Sequence, residues 1–309
     1  MSLETDLLID RRRLKRRLTV WRIVAVLAVV AAIMAGLRAG GGMFGASPYV
    51  ARLAVDGIIG NEDRLAARVR DLADDPHAKA LIVTIDSPGG SVAGGEALHD
   101  AIAAVAQKKP VVAVMGGVAA SAGYMIAVPA ARIFARAGTL TGSIGVYLQS
   151  VEVSGLLTRL GINAEVVKSG PLKDQPGLTE PLTPAGRQML QGLVMNLYDQ
   201  FVAMVAAGRH MDPATVRQLA DGRPYTGEQA LKHGLIDALG GEHAARRWLA
   251  TSRGVPATLP ERPVTVAESL TQRALAASLE PIVQGFWKSV LSQSVVLDGA
   301  WSLWQRSVR

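Results

Sequence analysis

A serine set among small residues is the first candidate for chemistry: Ser121 lies within Met115-Gly116-Gly117-Val118-Ala119-Ala120-Ser121-Ala122-Gly123-Tyr124. A serine hydroxyl attacks a carbonyl only when a base takes its proton and donors receive the oxyanion that forms. Small neighbours permit a tight turn and a close approach by a substrate backbone. A second stretch, Asp86-Ser87-Pro88-Gly89-Gly90-Ser91, reads as a turn opening a helix. Its two glycines can turn N–H groups outward, where the helix dipole also favours negative charge. It lacks the G-x-x-x-x-G-K-[ST] and complete G-x-G-x-x-G patterns, which argues against a phosphate cradle.

The base is the harder part. His99 falls inside the helix that follows the glycine turn, His77 precedes it in a loop, and His210, His233 and His243 lie in the C-terminal helical region. None is placed to serve Ser121, which leaves lysine. A lysine works as a base only when its surroundings disfavour the ammonium form. Two are available in Val167-Lys168-Ser169-Gly170-Pro171-Leu172-Lys173-Asp174, and residue types alone allow either, or two solvated lysines.

These residues must be positioned by the elements around them. Val50–Val55, Ala80–Ile85, Val111–Met115 and Ile133–Ala135 read as strands, the second and third as buried β-branched runs. Helices are expected over Asp63–Ala73, from the glycine turn to about Gln107, and from Ser121 to Val128. Short strands at Val146–Leu148 and Ala164–Val167 would flank a helix over Gly155–Leu160 capped by Ser154, the second strand delivering the lysines. Thr183-Pro184 and Asp212-Pro213 each pair a capping side chain with an early proline and open further helices. The strand–helix alternation implies an α/β fold with a largely parallel, buried sheet.

Composition bounds the function. With 309 residues, 49% of them hydrophobic, the chain can bury a sizeable core, and with no cysteine it has neither disulfides nor thiol chemistry. The five histidines show no metal-ligand spacing, so neither metal nor cofactor is expected. Net charge is +7, but Arg11, Arg12, Arg13, Lys15, Arg16, Arg17 and Arg22 concentrate the excess at the N-terminus, which argues against nucleic acid as a partner. Directly behind lies a mostly apolar run, residues 18–37, whose length as a helix matches a bilayer core of about 30 Å. The cationic flank places the N-terminus in the cytoplasm and the rest of the chain across the membrane. A cleaved signal peptide is the competing reading, since small residues follow at Gly40–Gly42. The expected organisation is a basic cytoplasmic segment (1–17), a transmembrane anchor (18–37), a linker (38–48), a catalytic domain (49–253), and a linker with an amphipathic tail (254–309) bearing Trp287, Trp301 and Trp304. That tail fits a surface helix, an oligomer contact or a disordered segment equally well.

In five blocks the chain resembles the signal peptide peptidase A family of bacterial serine peptidases, in its short, single-domain form. The blocks are Asp86–Gly90, Ala120–Tyr124, Thr139–Val146, Lys168–Asp174 and Asp221–Gly227, in the expected order. The resemblance implies a Clp protease/crotonase-like fold and a Ser-Lys dyad, with Ser121 as nucleophile, Lys173 as general base and Ser143 orienting the lysine. Backbone amides of Gly89, Gly90 and Ala122 would form the oxyanion hole. Ala122 departs from the family, which often has glycine there; a changed packing is expected rather than lost function. The resemblance further implies cleaved signal peptides and other apolar peptides as substrates, a homo-oligomer, and a place in the bacterial inner membrane with the catalytic domain outside the cytoplasm. A crotonase-like acyl-CoA enzyme and a non-catalytic anchored scaffold are the alternatives.

Overall fold

The computed structural model describes residues 21–29 and 47–266. Residues 21–29 form a helix, α1. The rest of the 18–37 run, the basic segment before it, most of the 38–48 linker and the tryptophan-bearing tail lie outside the described residues. No helix among the described residues is long and apolar enough to cross a membrane. The chain divides into two compact units at Val264/Thr265, and the sheet lies in the first.

Eight strands form one sheet: β1 (Tyr49–Ile59), β2 (Ala78–Gly90), β3 (Val111–Ala120), β4 (Arg132–Ala135), β5 (Leu140–Gly142), β6 (Pro224–Thr226), β7 (Ala238–Leu239) and β8 (Glu261–Pro263). The main path runs β6-β5-β3-β2-β1-β8, and β4 pairs with β3 and β7. Only the β5–β6 pairing is antiparallel. The expected largely parallel α/β sheet is therefore present. Its buried strands alternate between two apolar faces. Leu81, Val83 and Ile85 of β2, with Val111, Ala113 and Met115 of β3, enter the larger core, while Ala80, Ile82, Val112 and Val114 enter a smaller one. Both faces must be covered, as parallel sheets require.

The helices that cover them are α2 (Asp63–Asp71), α3 (Val92–Ala106), α4 (Ala122–Ala127), α6 (Pro184–Arg209), α7 (Pro213–Leu219), α8 (Gly227–Lys232) and α9 (Glu242–Arg253), while α5 (Ser154–Arg159) buries no residue. Ala245 and Leu249 of α9 fill the smaller core. The caps read from sequence are made where the side chain can reach an orphan amide: Thr183 accepts from Gly186 N–H at 3.0 Å, and Asp212 from Ala214 N–H at 3.0 Å. Ser154 is instead the first residue of α5, after Val153, and its N–H goes to Glu152.

Several expectations are corrected. Asp86–Gly90 is not a turn but the last part of β2, and β3 continues past Met115 to Ala120. Val146–Leu148 and Ala164–Val167 are not strands, because nothing among the described residues pairs with them. The stretch 254–263 is not all linker: β8 adds to β1, with Val50 opposite Glu261. The first half of α6 is less buried than its apolar spacing implies, Leu193 being 55% exposed.

Candidate active site

In a parallel sheet, strands deliver their following residues to one edge, and here β2 and β3 bring both candidate stretches to it. Ser121 follows β3 directly and caps α4 with φ +54° and ψ −123°. A left-handed serine costs about 1–3 kcal/mol, so its surroundings must hold it. They do so through Ser121 N–H, which donates to Gly142 O at 2.9 Å, and Ser121 O, which accepts from Met125 N–H at 3.0 Å. Ser121 itself is half-buried, open on one side.

The glycines of β2 lie against it. A Cβ built on Gly89, where φ is +112°, would fall 2.7 Å from Ser121 Cβ, 3.1 Å from Ala120 O and 3.2 Å from Ala122 N. No side chain fits between, so the backbone of β2 passes directly beside the serine. Ser87, fully buried, takes Gly89 N–H on its Oγ at 3.1 Å. The Gly89 amide is thus already engaged within the chain. Ser91 N–H pairs back to Ile59 O at 2.8 Å, and Gly90, the last residue of β2, lies opposite Ile59. Ala122 supplies a first-turn amide of α4, which has no intrahelical acceptor. Its methyl group, the departure noted above, has been accommodated: a Cβ on Gly95 of α3 would come within 2.9 Å of Ala122 Cβ, so glycine there makes the room.

Ser143 is one residue beyond the β5 position that pairs with Ala120, so it flanks Ser121. It is half-buried with φ +47°, and its Oγ donates to Gly222 O at 3.1 Å rather than to a lysine. The lysine stretch is not brought into hydrogen-bonding contact with the serine within this chain. Lys173 is exposed, and its backbone N–H donates to Gly170 O at 3.1 Å. Lys168 forms an ion pair with Glu180. Two residues after Lys173, Gln175 is buried and its Oε1 accepts from Thr183 N–H at 3.1 Å, which fixes the stretch to the start of α6.

Sequence reasoning missed the side chains that fix the serine's strand. Thr139 Oγ1 donates to Gly116 O and Thr141 Oγ1 to Ala119 O, each at 2.7 Å, while Asp86 Oδ1 accepts from Val118 N–H at 3.1 Å. Their one available signal was the Thr-x-Thr alternation before Gly142, which puts both hydroxyls on one side of a strand.

Comparison with known proteins agrees with the fold. The model described as Peptidase family S49 matches residues 103–256, and the Clp protease model matches 62–141. The chain is 41% identical to a protein named as a protease from Synechocystis sp. over 67% of this chain and 75% of that one. It is 35% identical to a protein named for signal peptide peptidase SppA from Enterococcus faecium, over 58% of this chain and 53% of that one. With the chloroplastic serine protease SPPA of Arabidopsis thaliana it shares 32% identity over 77% of this chain but 34% of that one. The chain thus spans less than two thirds of the last two relatives. On the length and level of these matches, the chain belongs to peptidase family S49.

Proposed function

We propose that this protein is a membrane-anchored serine endopeptidase working by a Ser121–Lys173 dyad on apolar peptides such as cleaved signal peptides. The observation that supports the reading is the half-buried, positive-φ Ser121 pressed against Gly89, with the Ala122 amide nitrogen beside the same glycine. Neutral Lys173 takes the Ser121 proton as Oγ adds to the peptide carbonyl, and the oxyanion accepts from Gly90 and Ala122 N–H. The carbonyl re-forms as the C–N bond breaks, with the leaving amine taking the proton from Lys173. Water, deprotonated by the same lysine, then releases the acyl group.

Lys173 is favoured over Lys168 because the ammonium of Lys168 already serves Glu180. A base also needs burial, and Lys173 is exposed in the single chain. A second copy of the chain would supply that burial. The same segment between β5 and α6 carries apolar side chains with little cover, Tyr147 at 85% and Val167 at 93% exposed, and a contiguous patch of such side chains marks an interaction site. The assembly is accordingly a homo-oligomer in which one copy's lysine stretch closes over another's serine. The anchor is the 18–37 run with its cationic flank, and the catalytic domain lies outside the cytoplasm.

The test is hydrolysis of an apolar fluorogenic peptide by the full chain in detergent. Ser121→Ala and Lys173→Ala should each abolish it while Lys168→Ala remains active. Mixing the two inactive variants should restore part of the activity if the dyad forms between copies. Full activity in Ser121→Ala or Lys173→Ala would overturn the dyad, and acyl-CoA binding without peptide hydrolysis would favour the crotonase alternative.

A further inference from the structure

Strand β3 is in effect two strands joined by a defect. Up to Met115 it runs in register with β2, and Val112–Val114 pair with β4 on the other side. β2 then advances from Ile85 to Ser87 while β3 advances from Met115 to Ala119, so Gly116-Gly117 form a bulge with two extra residues. Beyond it Val118–Ala120 pair with β5. Bulges of this kind re-aim a strand and leave ladder groups unpaired. The piece that delivers Ser121 therefore cannot inherit its position from the long strand before it.

Three side chains take over that task. Thr141 Oγ1 donates to Ala119 O, two residues before the serine, and Thr139 Oγ1 donates to Gly116 O at the bulge. From the opposite side Asp86 accepts Val118 N–H. Thr141 is 0% and Thr139 2% exposed, so water cannot replace either hydroxyl without repacking. Beside Thr141, Gly142 O receives Ser121 N–H. We propose that Thr141, supported by Thr139 and Asp86, is a positioning residue that holds the bulged end of β3 so that Ser121 and the Ala122 amide stay against Gly89 of β2. The proposal rests on Ser121 being the nucleophile.

The test compares Thr141→Val, which keeps the shape but removes the donor, with Thr141→Ser, which keeps the donor. Acylation by a fluorophosphonate probe, kcat and KM on the apolar peptide, and Tm are measured for each in the full-length protein. Displacing a reacting group by about 1 Å can lower a rate by about 10²-fold. Thr141→Val is therefore expected to lose about 10- to 100-fold in acylation rate and kcat with KM nearly unchanged, and Thr141→Ser to recover most of it. Wild-type kcat in Thr141→Val, or equal loss in both variants, would overturn the proposal. If Thr141→Val fails to fold, exposed Asp86 carries the test: Asp86→Leu should lose kcat while Asp86→Asn, which keeps an acceptor oxygen, retains it, and equal activity in the two would overturn it. Ser121→Ala separates the layers. Labelling that persists there refutes the nucleophile itself, whereas a dead Ser121→Ala beside a fully active Thr141→Val refutes only the clamp.

Discussion

Gly89→Ala is the substitution on which the geometry of the site bears most directly. The new methyl would sit 2.7 Å from Ser121 Cβ, closer than real Cβ contacts come, and 3.2 Å from Ala122 N. The backbone at φ +112° adds about 1–3 kcal/mol of strain. For a domain of this size each kcal/mol lowers Tm by about 2–4 °C, so a drop of about 2–12 °C is expected and the protein should still fold. Catalysis should suffer far more. Relief of the clash requires β2 and the serine to separate by several tenths of an ångström to about 1 Å, which displaces Oγ and both candidate amides together, a loss of about 10²-fold or greater in kcat/KM. Gly138→Ala is the control, since nothing lies within 4 Å of a Cβ there. The assay is peptide hydrolysis alongside a thermal melt. Gly89→Ala with near-normal kcat/KM would refute the placement of β2 against the serine.

Other consequences concern what holds the scaffold. Arg209, at the end of α6 and with a side chain 8% exposed, donates to both carboxylate oxygens of Asp237, which also accepts Ile133 N–H at the start of β4. Asp237→Ala leaves a buried guanidinium unpaired, so a loss of about 3–5 kcal/mol is expected in a denaturant melt. Tyr124, fully buried three residues after Ser121, donates to Leu235 O at 2.8 Å. Tyr124→Phe should cost about 1–3 kcal/mol by orphaning that carbonyl. Tyr49 donates to Asp75 at 2.6 Å, and burial first, then that bond, pushes its phenol up to about 12. The folded state keeps a proton that the unfolded chain loses near pH 10, so this contribution is complete below about pH 10 and disappears as pH rises toward 12. The same bond holds Asp75 below its ordinary range, a contribution present above about pH 4 and lost as pH falls. Melts against pH should show both arms flattened in Tyr49→Phe; unchanged arms would refute the linkage.

What could be read in the sequence was whatever depends on neighbours along the chain. The buried strands around Leu81–Ile85 and Val111–Met115, the caps at Thr183 and Asp212, and the serine beside small residues all follow from local pattern, and the structure has them. Register is a different matter. Asp86–Gly90 reads as a turn because proline and glycine disfavour strands, yet it stays extended where β1 accompanies it as far as Ile59 opposite Gly90. Val146–Leu148 has strand-forming residues but no pairing partner among the described residues, and strand propensity is largely a property of the partner surface. The hydroxyl of Thr141 acquires its role only once β5 lies beside the far half of β3, which no local spacing encodes. For the lysine the sequence offers the residue but not its position, since its segment lies outside the sheet.

The central claim is that Ser121 is the nucleophile, and mapping the covalent adduct tests it most directly. The full-length protein is treated with a fluorophosphonate, digested, and the modified residue located by mass spectrometry, with Ser121→Ala treated in parallel. The expected result is one adduct per labelled chain, on Ser121, absent from the variant. Peptide hydrolysis with the adduct on another residue, or undiminished labelling of Ser121→Ala, would contradict it.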